Sequence, residues 1–214
     1  EKTVEGFAKQ TNNPRFSWDS YRRFIQLFGK VVFGVDDKKF DNVLNATKKK
    51  QKVKDDSKLN VKSLKNIVLE YKKICEKHTK RKFPDSPNEQ LELAIEAVFK
   101  SWMGERAVVY RRQNKVTRDI ADGTAVNVVT MVFGNMGDDS ATGVVFTRNG
   151  HNGKKELEGE YLTNAQGEDV VAGVRTGKNI EMLKKEMPQS YKELNNACTK
   201  LEKHFKEVQD IEFT

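Results

Sequence analysis

The chain has 214 residues, a net charge of +8, and a composition of 36% hydrophobic and 33% charged residues. That length allows one large domain or two small ones, with enough chain to bury a core. No apolar run approaches the roughly 20 residues that span a bilayer, and the N-terminus lacks the apolar stretch of a signal peptide. These properties argue against membrane-spanning and disulfide-rich secreted proteins, and they favour a helix-rich cytoplasmic one.

Both ends of the chain differ from those of a complete protein. The first residue, Glu1, is not methionine, and Thr214 follows an alternation of polar and apolar residues that stops in mid-strand. We therefore expect an internal piece of a longer protein.

The positive charge is concentrated in the first part of the chain. Residues 1–82 contain 22 Lys and Arg against 10 Asp and Glu. Such asymmetry can mark a nucleic-acid-binding surface. We favour the interpretation that the clustered lysines form a solvated helix end and loop, because almost no aromatic or glycine residues lie between them. A basic nucleic-acid-binding module stays as an alternative. The cluster consists of Lys48, Lys49, Lys50, Lys52, Lys54 and Lys58.

The first third of the chain reads as a small helical bundle. Apolar residues recur at helical spacing over 18–28, with Ser17 as the expected N-cap, and over 61–77. A second short helix between them carries Phe40 and Leu44. These patterns predict three helices that pack through their apolar sides.

Residues 83–87 contain two prolines and are expected to separate the bundle from a new helix, because proline removes a backbone donor and restricts the residue before it. Ser86 or Asn88 can cap this helix. Its apolar side is expected to be buried and consists of Leu91, Ala94, Ile95, Val98, Phe99 and Trp102.

After this helix the pattern changes to short β-branched or aromatic segments separated by Gly, Asn and Asp. The sequence then returns to helical spacing at 180–187 and 190–208, and a last strand is predicted at 210–213. The fold class is therefore α+β, with largely antiparallel sheets. The other predicted strands are 107–110, 125–133, 143–147, 157–163 and 169–174.

The two cysteines, Cys75 and Cys198, both lie on apolar helical stripes. We expect buried free thiols, and neither a disulfide nor a CxxC metal site.

A glycine-rich loop, residues 134–143, joins two of the predicted strands. Glycine lets backbone N–H groups approach a phosphate closely, because it has no Cβ. No Gly-Lys-Ser/Thr follows the last glycine, so the loop is not a P-loop. Taken alone, it is better read as an ordinary hairpin loop.

Four acidic residues lie at the ends or along the length of predicted strands. Glu168 and Asp169 begin one strand, while Asp210 and Glu212 occupy alternate positions of another. Alternation places the last two on one face of the sheet, roughly 7 Å apart. Carboxylates in that arrangement suit Mg²⁺ that bridges nucleotide phosphates. A solvated edge strand is an equally good interpretation of the same pattern.

A series of distinctive motifs runs along nearly the whole chain. The early motifs are DSYRRFIQ at 19–26, AVFKSW at 97–102, YRR at 110–112 and GTAVNV at 123–128. The later ones are TMVFGN at 130–135, TGVVFTRN at 142–149, GEYL at 159–162, NAQGEDVVAG at 164–173, LEKHF at 201–205 and QDIEFT at 209–214. In these motifs the chain resembles the pyruvate phosphate dikinase family.

The resemblance implies a partial ATP-grasp domain with an inserted helical subdomain. By similarity, residues 1–87 form the helical subdomain, 88–132 a segment of the first ATP-grasp subdomain, and 133–214 a truncated second one. The family converts ATP, phosphate and pyruvate into AMP, pyrophosphate and phosphoenolpyruvate. It uses Mg²⁺ and a phosphohistidine that moves between two remote sites.

The resemblance also implies a set of site residues. The backbone around Val129 and Met131 would meet adenine, and Glu168 and Asp169 would lie near the ribose. Asp210 and Glu212 would bind Mg²⁺ or orient the phosphates. Four consecutive residues would cradle the phosphates: Ser140, Ala141, Thr142 and Gly143.

The family's cationic residues, phosphohistidine domain and pyruvate site all lie outside this sequence. We therefore expect weak or partial nucleotide binding and no turnover by the chain alone. The resemblance implies a homodimeric parent, in the cytoplasm or in an organelle if a transit peptide precedes this segment. A related water dikinase, which would use water in place of phosphate, stays as an alternative.

Overall fold

The computed structural model describes residues 2–171 and 176–214. The chain forms two compact units, Glu1–Val129 and Thr130–Thr214. Helices dominate the first unit and an antiparallel sheet with helices forms the second, so the predicted α+β class is confirmed. The finer division at residues 87 and 132 stays a prediction.

The first unit is built from helices. The predicted helices over 18–28, around Phe40 and over 61–77 are confirmed, and each is longer than predicted. The observed elements are α1 (Lys2–Gln10), α2 (Pro14–Val31), α3 (Asp37–Gln51), a 3₁₀ turn (Asp56–Lys58), α4 (Val61–Thr79), α5 (Pro87–Ser101) and α6 (Glu105–Gln113).

Helix α2 begins four residues before the predicted start, and Ser17 is not its N-cap. The side chain of Asn13 accepts a hydrogen bond from the Phe16 amide, and Pro14 occupies the first helical position. Ser17 lies inside the helix, where its hydroxyl donates to the Asn13 carbonyl at 3.2 Å. An Asn followed by Pro predicts the start of a helix more strongly than Ser17 does. The Asn side chain accepts hydrogen bonds from the free backbone amides of the first turn, and Pro has no backbone N–H that would stay unpaired there.

The core of the first unit lies between α2, α3 and α4. Phe40 and Tyr71 are fully buried and meet edge to face at 4.8 Å between ring centroids. Cys75 is buried beside them with a free thiol, and Cys198 of the second unit is also buried and free, as predicted. Burial raises the pKa of the Cys75 thiol to about 11, which makes it a poor nucleophile at neutral pH.

Gly29 allows α2 to pack closely against this core. A Cβ at this position would lie 2.6 Å from the Phe40 ring and 2.9 Å from the Cys75 sulfur. We expect Gly29→Ala to lower the free energy of unfolding by about 1–3 kcal/mol, because the buried ring has no room to move. Urea denaturation followed by circular dichroism measures the change.

Gly6 in α1 supplies a matched control for this prediction. A Cβ there would meet nothing within 4 Å. Gly6→Ala is expected to be neutral or to stabilise α1 by up to about 1 kcal/mol, since alanine favours the helix over glycine. Equal effects of the two substitutions would contradict the proposed packing role of Gly29.

A buried network of charged side chains joins α2 to the 3₁₀ turn. Asp19 and Arg22 are each 2% exposed, and the Arg22 guanidinium donates to Asp19 Oδ1 at 2.6 Å. Arg22 also lies 3.3 Å from Asp56, which pairs with Lys48 at 3.0 Å. Arg15 and Arg23 approach the second oxygen of Asp19 at 3.4 and 3.6 Å. The network therefore gives the buried charges of Asp19 and Arg22 partners of opposite charge.

The lysine cluster fits the interpretation as a solvated helix end. Lys48, Lys49 and Lys50 form the last turn of α3. Cations in that position stabilise a helix, because the C-terminal carbonyl groups carry partial negative charge.

Three predictions for residues 88–133 are wrong. The predicted strand 107–110 lies within α6, and 125–133 forms no strand. Short apolar runs fit either a buried strand or a helix, and here Glu105 and Arg112 sit at the helix ends that favour their charges. Helix α5 does form with Ser86 as its N-cap, but it buries none of its residues. Leu91, for example, is 43% exposed.

The second unit contains a four-stranded antiparallel sheet in the order β3-β2-β1-β4. The predicted strands at 143–147, 157–163 and 210–213 are confirmed, as are both later helices. The two-residue strand β3 was not predicted. The elements are β1 (Ala141–Phe146), β2 (Glu158–Thr163), α7 (Gly167–Val171), β3 (Lys178–Asn179), α8 (Ile180–Glu186), α9 (Pro188–Phe205) and β4 (Asp210–Phe213).

The predicted strand 169–174 is wrong where the structure describes it. Residues 167–171 form the short helix α7, and residues 172–174 lie outside the described part of the chain. Glu168 and Asp169 occupy its first turn, where acidic side chains stabilise the free amides.

The two faces of the sheet pack differently. Val145, Tyr161 and Ile211 pack with residues of α8 and α9 in one cluster. Val144, on the other face of β1, packs with Leu162 and Val170. Across residues 2–171 and 176–214, no helix has the length and hydropathy needed to cross a membrane.

Candidate functional site

Strand β4 presents two carboxylates on one face of the sheet. Asp210 and Glu212 are exposed, whereas Ile211 and Phe213 point to the cluster with α8 and α9. Glu212 lies opposite Val144 of β1. The carboxylates are therefore on the face away from α8 and α9, as expected from the alternation of side chains along a strand.

A pocket of roughly 260 Å³ opens beside Glu212, and we call it the Glu212 pocket. Polar groups and glycines from β1, α7 and β4 line it together with apolar side chains. Three of the lining residues were predicted site residues. The lining consists of Val132, Thr142, Gly143, Val144, Gly167, Val170, Glu212, Phe213 and Thr214.

Thr142 and Gly143 hold the end of β4 against β1. The Thr142 hydroxyl donates to the Phe213 carbonyl at 3.0 Å and lies 3.1 Å from the Thr214 hydroxyl. A Cβ on Gly143 would lie 2.6 Å from the Phe213 ring and 2.5 Å from the Glu160 carbonyl. Glycine is therefore needed here for close packing of the strands that carry the site.

The glycine-rich loop lies against the turn that follows β2. The Ala165 amide donates to the Gly134 carbonyl at 2.9 Å, and the Asn164 amide donates to the Ser140 carbonyl at 2.9 Å. A Cβ on Gly134 would collide with the Ala165 carbonyl oxygen. The loop precedes a strand but does not follow one, so its interpretation as a hairpin loop between two strands is wrong.

Helix α7 places Glu168 and Asp169 beside the Glu212 pocket. Gly167 and Val170, on either side of them in sequence, both line the pocket. The Asp169 carboxylate accepts a hydrogen bond from the Gln166 amide at 3.0 Å, which fixes the start of the helix. Glu168 is exposed.

A second, larger pocket of roughly 710 Å³ lies beside α8 and α9. Three predicted site residues, Met131, Ser140 and Ala141, line it with apolar side chains such as Leu194. Val129 is 79% exposed and belongs to the first unit. The structure thus divides the residues predicted to cradle the phosphates: Thr142 and Gly143 line the Glu212 pocket, whereas Ser140 and Ala141 line this second one together with Met131.

The donor set on β4 fits a magnesium ion that is only partly held by protein. Within the described ranges, no three His, Cys, Asp or Glu side chains converge closely enough to hold a metal ion by themselves. Mg²⁺ keeps several waters and is commonly bound by one or two carboxylates plus substrate phosphates. Asp210 and Glu212 match that pattern, since both are exposed and share a face.

Sequence reasoning missed a cluster that fixes β2 to β3 and α8. The Tyr161 hydroxyl donates to Glu186 at 2.8 Å, and Lys178 of β3 lies 2.8 Å from the same carboxylate oxygen. Burial, with the neighbouring Glu186, raises the pKa of Tyr161 to about 12. The hydroxyl therefore stays protonated and keeps donating at physiological pH.

Two further pairs of hydrogen-bonded side chains could not have been predicted from any local sequence pattern. Gln166 Nε2 donates to Asn135 Oδ1 at 2.8 Å, and Arg148 Nη2 lies 2.7 Å from Glu202 of α9. Each partner is isolated in sequence, 31 and 54 residues from the other. Only the tertiary fold brings them together.

Comparison with known proteins identifies the relatives of this chain. Residues 38–191 match the family model described as the AMP/ATP-binding domain of pyruvate phosphate dikinase. The chain is 52% identical to the pyruvate, phosphate dikinase of Entamoeba histolytica, 51% identical to that of Clostridium symbiosum, and 49% identical to the chloroplastic enzyme 1 of Arabidopsis thaliana. These alignments cover 99–100% of this chain but only 22–24% of each relative. The chain therefore spans about a quarter of the relatives it matches.

Proposed function

Since this chain belongs to the pyruvate phosphate dikinase AMP/ATP-binding domain family, we propose that it is the ATP-binding part of such a dikinase. The full-length protein would convert ATP, phosphate and pyruvate into AMP, pyrophosphate and phosphoenolpyruvate. The observation that carries the proposal is identity of about half the residues along the whole chain to proteins named for that reaction.

The phosphates would lie at the Glu212 pocket. Its volume of roughly 260 Å³ is below the range typical of a pocket that encloses a whole drug-sized ligand. It therefore suits the phosphate end of a nucleotide, with the rest extending beyond it. Glu168 and Asp169 on α7 would approach the ribose, and the backbone near Val129 and Met131 the adenine.

Asp210 and Glu212 would hold Mg²⁺ against these phosphates. When bound, the ion supplies positive charge to the phosphate oxygens. The chain's own part is to fix the carboxylates, and it does so by pairing β4 with β1 and by the bond from Thr142 to Phe213. The turn at Gly167, which lines the pocket, would bring backbone amides towards the same phosphates.

The later steps of the reaction would take place on parts of the parent protein outside this sequence. We propose a phosphohistidine domain of the same parent chain as the acceptor of the phosphoryl group, and a homodimeric parent. We also propose that residues 1–87 form the helical subdomain, 88–132 part of the first ATP-grasp subdomain, and 133–214 part of the second. The protein would act in the cytoplasm, or in an organelle like the relatives named chloroplastic.

Incubation of the full-length protein with Mg²⁺, ATP and ³²P-labelled phosphate, without pyruvate, tests the acceptor. We expect AMP and labelled pyrophosphate in amounts close to one equivalent of enzyme, because the phosphohistidine cannot discharge without pyruvate. Formation of AMP with no label in pyrophosphate, at a rate independent of added phosphate, would instead identify a water dikinase. Absence of AMP formation would contradict the dikinase proposal itself.

A further inference from the structure

Two buried amide side chains connect the glycine-rich loop to the start of α7. Asn135 in the loop is 4% exposed, and Gln166 before α7 is 9% exposed. Gln166 Nε2 donates to Asn135 Oδ1 at 2.8 Å. Burying an amide is costly unless it is hydrogen-bonded, so two amides placed together point to a specific contact and not to filling of the core.

Two backbone amides beside this pair are also hydrogen-bonded, one to the loop and one to the first turn of α7. The Ala165 amide donates to Gly134, the residue before Asn135. The Gln166 amide donates to the Asp169 carboxylate at 3.0 Å. The pair therefore links the glycine-rich loop with the turn that precedes α7. We call the Asn135–Gln166 pair the amide clasp.

One donor of the clasp is unused. Asn135 Nδ2 is buried and has no hydrogen-bond partner among the described residues. A buried donor without a partner costs stability, but an apolar residue at this position would also take the acceptor from the buried Gln166 Nε2. The pair is therefore held by one hydrogen bond, on which the position of the loop relative to α7 depends.

We propose that Asn135 and Gln166 are positioning residues for the nucleotide site, an inference that rests on the proposed function. The clasp fixes the separation between the glycine-rich loop and α7, which carries Glu168 and Asp169 to the edge of the Glu212 pocket. Neither amide lines that pocket. Their effect on a nucleotide is therefore exerted through the backbone segments that they join.

The test uses the full-length protein with Asn135→Leu, which keeps the number and branching of the side-chain heavy atoms but removes the hydrogen bond. We expect the Kd for Mg-ATP, measured by isothermal titration, to rise about tenfold, the equivalent of about 1.4 kcal/mol. Exchange of labelled pyruvate into phosphoenolpyruvate takes place at the remote site and should stay unchanged. Asn195→Leu, the same change at an exposed position of α9, should leave both measurements as in the wild type.

Rescue separates positioning from simple loss of stability. The double variant Asn135→Gln with Gln166→Asn keeps both amides and the combined length of the two side chains, and it should restore the Kd to within about threefold of wild type. If Asn135→Leu fails to fold, Gln166→Leu breaks the same bond from the other side and takes its place. A wild-type Kd in the folded single variant overturns the inference, as does a Kd in the double variant that stays as high as in the single one. A wild-type protein that does not bind Mg-ATP instead contradicts the proposed function.

Discussion

Asp210→Asn together with Glu212→Gln is expected to lower the ATP-dependent turnover of the full-length protein by at least about 10²-fold. Both substitutions keep side-chain size and remove the negative charge that would hold Mg²⁺ on the phosphates. Electrostatic groups that act on the transferred oxygens typically contribute 10²–10³-fold each. Steady-state formation of AMP at saturating ATP and phosphate measures the loss.

Glu160 provides the matched control, because it lies in the same row of the sheet. Val144 of β1 pairs with Glu160 on one side and with Glu212 on the other. Glu160→Gln therefore makes the same change of charge on the same face, two strands away from Glu212. We expect less than a threefold effect, and equal losses from Glu160→Gln and Glu212→Gln would show a general charge effect and not a metal site.

Asp19→Ala is expected to destabilise the helical unit by about 3–5 kcal/mol. It would leave Arg22, which is 2% exposed, with one fewer partner in a buried position. Chemical denaturation of the chain measures the loss. Asp85→Ala removes an exposed partner of Lys72, at 3.5 Å, and should cost less than about 1 kcal/mol.

Asp19 should also make the stability depend on pH. Burial disfavours its charged form, but the attraction of Arg22, Arg23 and Arg15 outweighs burial and lowers the pKa below 3.8. A carboxylate with a lowered folded pKa stabilises the protein above its unfolded pKa, and the contribution is lost as pH falls through the folded value. We therefore expect acid unfolding to be less steep in Asp19→Asn than in wild type. An unchanged pH profile would contradict the role assigned to Asp19.

Local patterns predicted the elements that pack against a partner in the folded chain. Helix α4 has a full apolar stripe, and it packs against α2 within the same unit. The segment 125–133 has strand-like composition but pairs with no strand among the described residues, and Val132 is 62% exposed. β-Propensity reflects packing against neighbours more than a property of the backbone, which explains why this prediction failed.

The candidate site was predicted only in part, for a similar reason. Alternation alone places Asp210 and Glu212 on one face, and the strand that carries them is observed. The contacts that hold the site, such as Thr142 to Phe213 or Gln166 to Asn135, join residues 71 and 31 positions apart. No local spacing encodes them, so they become visible only in the folded chain.

Isothermal titration of the full-length protein with Mg-ATP tests the nucleotide site at the Glu212 pocket most directly. We expect saturable binding by the wild type, retention of that binding in Glu160→Gln, and its loss in Asp210→Asn with Glu212→Gln. Affinity for Mg-ATP that is the same in the double variant and the wild type would contradict the assignment.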